Sequence, residues 1–115
     1  MDILLVEDHG ESRTTFARLL SHWGHTVAIA GTLREADTLL KKAPYDVLLS
    51  DIGLPDGEAF QLVNRAKEAH RVKRAMAVTG RERPEDRELS LRAGFDYYLT
   101  KPVDFHELRN LLAQP

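Results

Sequence analysis

Asp46-Val47-Leu48-Leu49-Ser50-Asp51-Ile52-Gly53-Leu54-Pro55-Asp56-Gly57 is the stretch that decides the fold. Val47, Leu48 and Leu49 form an unbroken apolar run, closed by Gly53 and a Pro-Asp-Gly turn signal. A strand apolar on both faces belongs in the middle of a parallel sheet covered by helices. In such sheets ligands and chemistry collect beyond the carboxyl ends of the strands. Asp51 stands at that address.

Working outward, the flanking segments alternate between strand and helix. Ile3–Val6 reads as a first strand ending on Glu7-Asp8. Phe16, Leu19, Leu20 and Trp23 follow at helical spacing, and Gly24 stops the helix. Thr26–Ala30, rich in β-branched residues, is the second strand. Thr32 and Glu35 form a capping box ahead of a helix whose stripe is Leu33, Ala36, Leu39 and Leu40. Beyond the central strand, Asp56 is expected to cap a helix with the stripe Ala59, Leu62, Val63 and Ala66. Ala75–Val78 is the fourth strand, ending on Thr79-Gly80, and Pro84 opens a fourth helix. Leu89 and Ala93 mark the inward stripe of that helix, Leu91 lies off it, and Gly94 ends it. Phe95–Thr100 is the fifth strand, leading to Lys101-Pro102. Asp104 caps a last helix with Phe105, Leu108, Leu111 and Leu112 facing inward.

Five strands alternating with five helices predict an α/β fold with a five-stranded parallel sheet and right-handed crossovers. The strands richest in apolar residues belong at the centre. The flavodoxin-like doubly wound (βα)5 order 2-1-3-4-5 puts them there. A chain of 115 residues with 43% hydrophobic and 30% charged residues suits one globular domain over residues 1–115. The absence of cysteine excludes a disulfide framework, a thiol nucleophile and a zinc-thiolate site. A net charge of −2 gives no pull toward nucleic acid or an acidic membrane, so neither is expected as a direct partner. The acidic, short apolar start does not read as a signal peptide, and a cytoplasmic location is expected. His22 and His25 bracket a helix end at Trp23-Gly24 rather than form a metal site.

In this strand order the residues that end the strands converge. Glu7 and Asp8 come from the first, Asp51 from the third, Thr79 from the fourth and Lys101 from the fifth. Neighbouring strands lie about 4.8 Å apart, so these side chains share one cleft. Three carboxylates together repel one another, and a bound cation relieves the repulsion. Magnesium, a hard ion that keeps waters and takes one or two carboxylates plus phosphate oxygens, fits this set. With Lys101 and Thr79 beside it, the cleft is suited to hold a phosphoryl group. A carboxylate can itself be the nucleophile, giving an aspartyl phosphate.

Over nearly its whole length the chain resembles a response-regulator receiver domain of the CheY-like family. The carrying motifs are Ile3-Leu4-Leu5-Val6-Glu7-Asp8, Leu48 through Gly57, Val78-Thr79-Gly80, Ala93-Gly94 and Tyr98-Leu99-Thr100-Lys101-Pro102. The resemblance implies that Asp51 accepts phosphate from a phosphohistidine on a histidine kinase or histidine phosphotransfer protein. It implies Mg2+ (or Mn2+) held by Glu7, Asp8, Asp51 and the Gly53 backbone carbonyl, with Thr79 and Lys101 on the phosphoryl oxygens. It further implies a cis peptide at Lys101-Pro102 and a switch in which Thr79 and Tyr98 reorient. The surface of the fourth helix, fifth strand and fifth helix then changes, and Leu91 is expected to contribute to it. Such a module is not an enzyme beyond catalysing its own phosphorylation and dephosphorylation. The wording around Asp51 and the immediate start at the first strand point toward the receiver of a hybrid histidine kinase rather than a free-standing carrier.

Arg81, two residues after Thr79, has two readings. It is either a solvent-facing loop arginine or a cation that holds the phosphoryl group or blocks the attacking water. Other functions fit these residues less well. An aspartyl-nucleophile phosphohydrolase of the haloacid-dehalogenase type needs a second Asp two residues after the nucleophile, where this chain has Gly53. A flavodoxin-like nucleotide binder needs an amide-rich loop after the first strand, where Glu7-Asp8 would repel phosphate. A pseudo-receiver that no longer takes phosphate is disfavoured by the complete constellation.

Overall fold

The computed structural model describes residues 1–80 and 84–114. The strands are β1 (Asp2–Val6), β2 (Thr26–Ala30), β3 (Tyr45–Ser50), β4 (Gly53–Leu54), β5 (Gly57–Glu58), β6 (Val72–Thr79) and β7 (Tyr97–Thr100). The helices are α1 (Gly10–His22), α2 (Leu33–Lys42), α3 (Phe60–Glu68), α4 (Pro84–Ala93) and α5 (Phe105–Ala113). Five strands make one parallel sheet in the order β2-β1-β3-β6-β7, while β4 and β5 form a small antiparallel pair. Counting only the sheet's strands, this is the expected 2-1-3-4-5 order. The fold is flavodoxin-like (βα)5.

Alternation along the central strands divides the core in two. Leu4, Val6, Leu48, Ala75 and Ala77 point to one face, where α2 and α3 bring Ala36, Leu40, Leu62, Val63 and Ala66. Ile3, Leu5, Val47, Leu49, Met76 and Val78 point to the other, where α1 and α5 bring Phe16, Leu20, Leu108 and Leu112. Successive side chains of a strand face opposite ways, so an unbroken apolar run feeds both layers. That is why Val47-Leu48-Leu49 has no polar member.

Three expectations need correcting. Asp56 does not cap α3. Its carboxylate accepts from the backbone N–H of Leu33 (2.9 Å) and Arg34 (3.0 Å), at the start of α2. The pair β4/β5 turns the chain back between Pro55 and Gly57, and α3 begins at Phe60 after a buried Ala59. The fourth helix does not bury Leu89, which is 45% exposed; α4 buries Asp86 and Ser90 instead. Ser90 Oγ satisfies itself by donating to the Asp86 carbonyl one turn earlier (2.7 Å), so a small polar residue can lie against the core. Phe105 does not face inward either. It is 40% exposed and meets Phe16 edge to face, with ring centroids 5.7 Å apart. The sheet strands also differ at their ends: β6 starts earlier than expected, at Val72 opposite Tyr45, and β7 starts later, at Tyr97.

Candidate functional site

The strand ends are brought together by ladder hydrogen bonds that run past the last paired residues. Asp51 N–H donates to the Val6 carbonyl (3.0 Å), which sets Asp51 beside Glu7. Glu7 N–H donates to the Ala30 carbonyl (3.0 Å), so β1 is held on both sides at this end. Lys101 N–H donates to the Thr79 carbonyl (2.8 Å), placing the lysine next to β6. Backbone pairing therefore fixes where the Glu7, Asp51, Thr79 and Lys101 side chains start, before any of them interacts with another.

Lys101 then ties the carboxylates together. Its ammonium donates to Glu7 Oε2 (2.9 Å) and Asp51 Oδ2 (3.0 Å), groups 94 and 50 residues away in sequence. Glu7 is only 2% exposed, so these partners replace the water its carboxylate has lost. Its Oε1 accepts from His9 N–H (3.2 Å), and its backbone carbonyl accepts from the Arg13 guanidinium (3.1 Å). Burial works to lower the pKa of Lys101. The hydrogen bonds to Glu7 and Asp51, with their negative charges, outweigh it and hold the ammonium above its ordinary 10.5. The lysine is thus a fixed positive charge.

The remaining expected residues lie around this pair. Thr79 is buried at the end of β6, with Gly80 exposed behind it. Gly53 is exposed in β4, opposite Glu58. The Lys101-Pro102 peptide is cis. Tyr98 is half-buried and packs against the α2/α3 side of the core. Arg81 lies outside the described residues.

Two residues near the site carried no earlier signal. His9 joins Glu7 and Asp8 in a group whose ligand atoms all lie within 4.8 Å of one another. Arg13 reaches the Glu7 carbonyl across Gly31, where a Cβ would come within 2.8 Å of its Nη1. His9 could have been noticed as the residue directly after the acidic pair. Arg13 depends on how α1 leaves β1, which no local pattern displays. Two carboxylates and an imidazole form a donor set that fits a divalent cation. Asp51 connects to that set through the shared Lys101 ammonium.

A groove of about 520 Å³ between α2 and α3 includes none of these residues. Among the described residues, no helix is long and apolar enough to cross a membrane.

Comparison with known proteins places the chain among relatives of the same fold. The chain is 39% identical over 116 residues to an uncharacterized 14.6 kDa protein of Leptolyngbya boryana, covering 99% of this chain and 88% of that one. It is 35% identical over 109 residues to the transcriptional regulatory protein PmrA of Pectobacterium parmentieri, covering 95% of this chain but 49% of PmrA. The chain thus spans about half the length of that regulator. The crystal structure of a response regulator receiver domain protein (CheY-like) from Methanospirillum hungatei JF-1 superposes with a TM-score of 0.90. The two are 31% identical, over 96% of this chain and 89% of that one. The model of the response regulator receiver domain matches residues 3–113. With that match spanning nearly the whole chain and the sheet order that of the fold, the chain belongs to the response regulator receiver domain family, whose members are phosphoacceptor modules of two-component phosphorelays rather than enzymes in the ordinary sense.

Proposed function

We propose that Asp51 accepts a phosphoryl group from a phosphohistidine of a histidine kinase or histidine phosphotransfer protein. The observation that carries this reading is the Lys101 ammonium bonded at once to Asp51 and to the buried Glu7. An Asp51 carboxylate oxygen attacks the phosphorus. The P–N bond breaks, its electron pair returns to the imidazole nitrogen, which takes up a proton, and an acyl phosphate remains on Asp51. Glu7, Asp8 and Asp51, with the Gly53 carbonyl, would hold Mg2+ (or Mn2+), which when bound supplies positive charge to the phosphoryl oxygens. Lys101 neutralises a further phosphoryl oxygen, and the Thr79 hydroxyl donates to another.

The same reading assigns the output. Phosphorylation draws Thr79 toward the phosphoryl group, Tyr98 turns inward, and the surface of α4, β7 and α5 changes. Leu89 and Leu91, 45% and 48% exposed, stand on that surface. The chain acts as one receiver domain over residues 1–115, on the cytoplasmic side, with a kinase or phosphotransfer protein as its donor.

Incubation with a small acyl-phosphate donor, with and without Mg2+, followed by intact mass measurement, tests the reading. The expected result is one Mg2+-dependent phosphoadduct that Asp51→Asn abolishes. No adduct, or one that survives Asp51→Asn, overturns it.

A further inference from the structure

We infer that His9 adds an imidazole nitrogen to the cation site, so that the site favours nitrogen-accepting divalent transition ions over Mg2+ more strongly than its carboxylates alone would. The inference rests on the reading that Glu7 and Asp8 hold the cation. It concerns what this chain adds to that pair.

Three observations carry it. The ligand atoms of Glu7, Asp8 and His9 lie within 4.8 Å of one another. Two donors on opposite sides of one ion, each bonded at about 2.1 Å, are about 4.2 Å apart, so the three can meet on one ion with small side-chain adjustments. His9 occupies the N-cap position of α1, yet its side chain makes no capping hydrogen bond, so helix α1 does not engage the ring. Its backbone N–H is bonded to Glu7 Oε1 (3.2 Å), which anchors the residue beside the most buried carboxylate of the site. The main chain therefore fixes the residue while the exposed imidazole stays available.

The consequence follows from ligand chemistry. Mg2+ is hard, takes oxygen donors and keeps its waters, so an imidazole offers it little. Imidazole suits the later first-row ions, and affinity for a mixed nitrogen and oxygen site rises from Mn2+ through Co2+ to Ni2+. His9 therefore contributes to Co2+ and Mn2+ binding and hardly at all to Mg2+ binding. It is a selectivity residue.

The test uses the whole chain, with Mg2+, Mn2+ and Co2+ as the probes. Isothermal titration of wild type and His9→Asn should show Co2+ affinity falling about tenfold or more while Mg2+ affinity stays within about twofold. Competition by excess Mg2+ identifies the Co2+ that occupies this site rather than the other histidines. Electron spin-echo spectra of bound Mn2+ should carry an imidazole-nitrogen modulation that His9→Asn removes. Equal loss of Mg2+ and Co2+ affinity, or a nitrogen modulation that is absent in wild type or persists in His9→Asn, overturns the inference. Asp8→Asn separates the two readings. If wild type binds no Mg2+, or Asp8→Asn leaves Mg2+ binding intact, the underlying assignment of the cation site fails. If Mg2+ binding is lost in Asp8→Asn but Co2+ is indifferent to His9, only the role of His9 fails.

Discussion

Asp46 and Asp51 begin and end the same stretch of chain but perform different tasks. Asp46 accepts a hydrogen bond from Asp2 N–H (2.8 Å) and faces the Lys73 ammonium at 3.4 Å, tying the start of β3 to the start of β1. The Asp2 amide above all, with help from Lys73, outweighs the opposing effect of burial and holds its pKa below the ordinary 3.8. A depressed carboxylate pKa stabilises the folded state above the unfolded value, and this is lost as pH falls through the lower folded value. Wild type should therefore exceed Asp46→Asn in melting temperature above pH 3.8, and the gap should close as the pH drops below it. A series of melting curves across the acid range checks this; a gap that widens toward low pH would contradict it. Asp51, by contrast, stood out as a candidate site residue because Glu7, Asp8, Thr79 and Lys101 end the other strands. Asp46 had no such companions in the sequence.

Among the elements, α2 shows how a sequence signal can be read correctly and still be incomplete. Thr32 and Glu35 were legible as a capping pair, and the Thr32 hydroxyl does accept from Glu35 N–H (3.1 Å). The two amides before it, those of Leu33 and Arg34, go to Asp56 in the loop after β3. One helix start is thus shared between a local cap and a residue more than 20 positions away, and the latter holds the loop after β3 to α2. Amide exchange should separate the two contributions. Asp56→Ala should speed exchange at Leu33 and Arg34 while Glu35 stays protected. Thr32→Ala should expose Glu35 and cost about 1 kcal/mol of stability by urea titration. Uniform exchange changes in both variants would mean that the two caps are not separable. The turn signal Pro-Asp-Gly concealed this role, because Asp before a predicted helix is by default read as that helix's own cap. The error at α4 has a similar origin. Leu89 and Ala93 have the spacing of a buried stripe, but Ser90, hydrogen-bonded to its own helix, is the residue laid against the core.

Across the whole molecule, Lys101 connects the first sheet strand to the last. Its ion pairs with Glu7 and Asp51 span β1, β3 and β7, while α1 and α5 close over the same sheet face through Phe16, Leu20, Leu108 and Leu112. Arg109 of α5 also lies over the Trp23 ring of α1, 5.6 Å from its centroid. Removing Lys101 takes away the cation that bridges the buried Glu7 and Asp51. Breaking a buried pair from one side costs about 3 kcal/mol or more, whereas removing both charges costs far less. Lys101→Ala should accordingly be destabilised by about that amount in urea titrations with chelator present, and Glu7→Gln added to it should recover most of the loss. If the two substitutions simply add, the pair is not coupled.

The sequence by itself determined the five sheet strands, the five helices and the residues at the strand ends, because apolar periodicity and turn chemistry are local, and the apolar richness of the strands pointed to the sheet order; the β4/β5 pair carried no such signal. The sequence also placed Glu7, Asp8, Asp51, Thr79 and Lys101 at the carboxyl ends of sheet strands. Only the tertiary structure decided which partner each of these groups takes. That Asp56 caps α2, that His9 stands with Glu7 and Asp8, and that Lys101 bonds two carboxylates all depend on side chains from separate elements meeting in space. A hydrogen bond between residues of separate elements has no periodicity, so it leaves no trace along the chain. Asp51 was readable as the end of its strand, and the Lys101 ammonium's bond to it appears only when first and last strands are folded into one sheet.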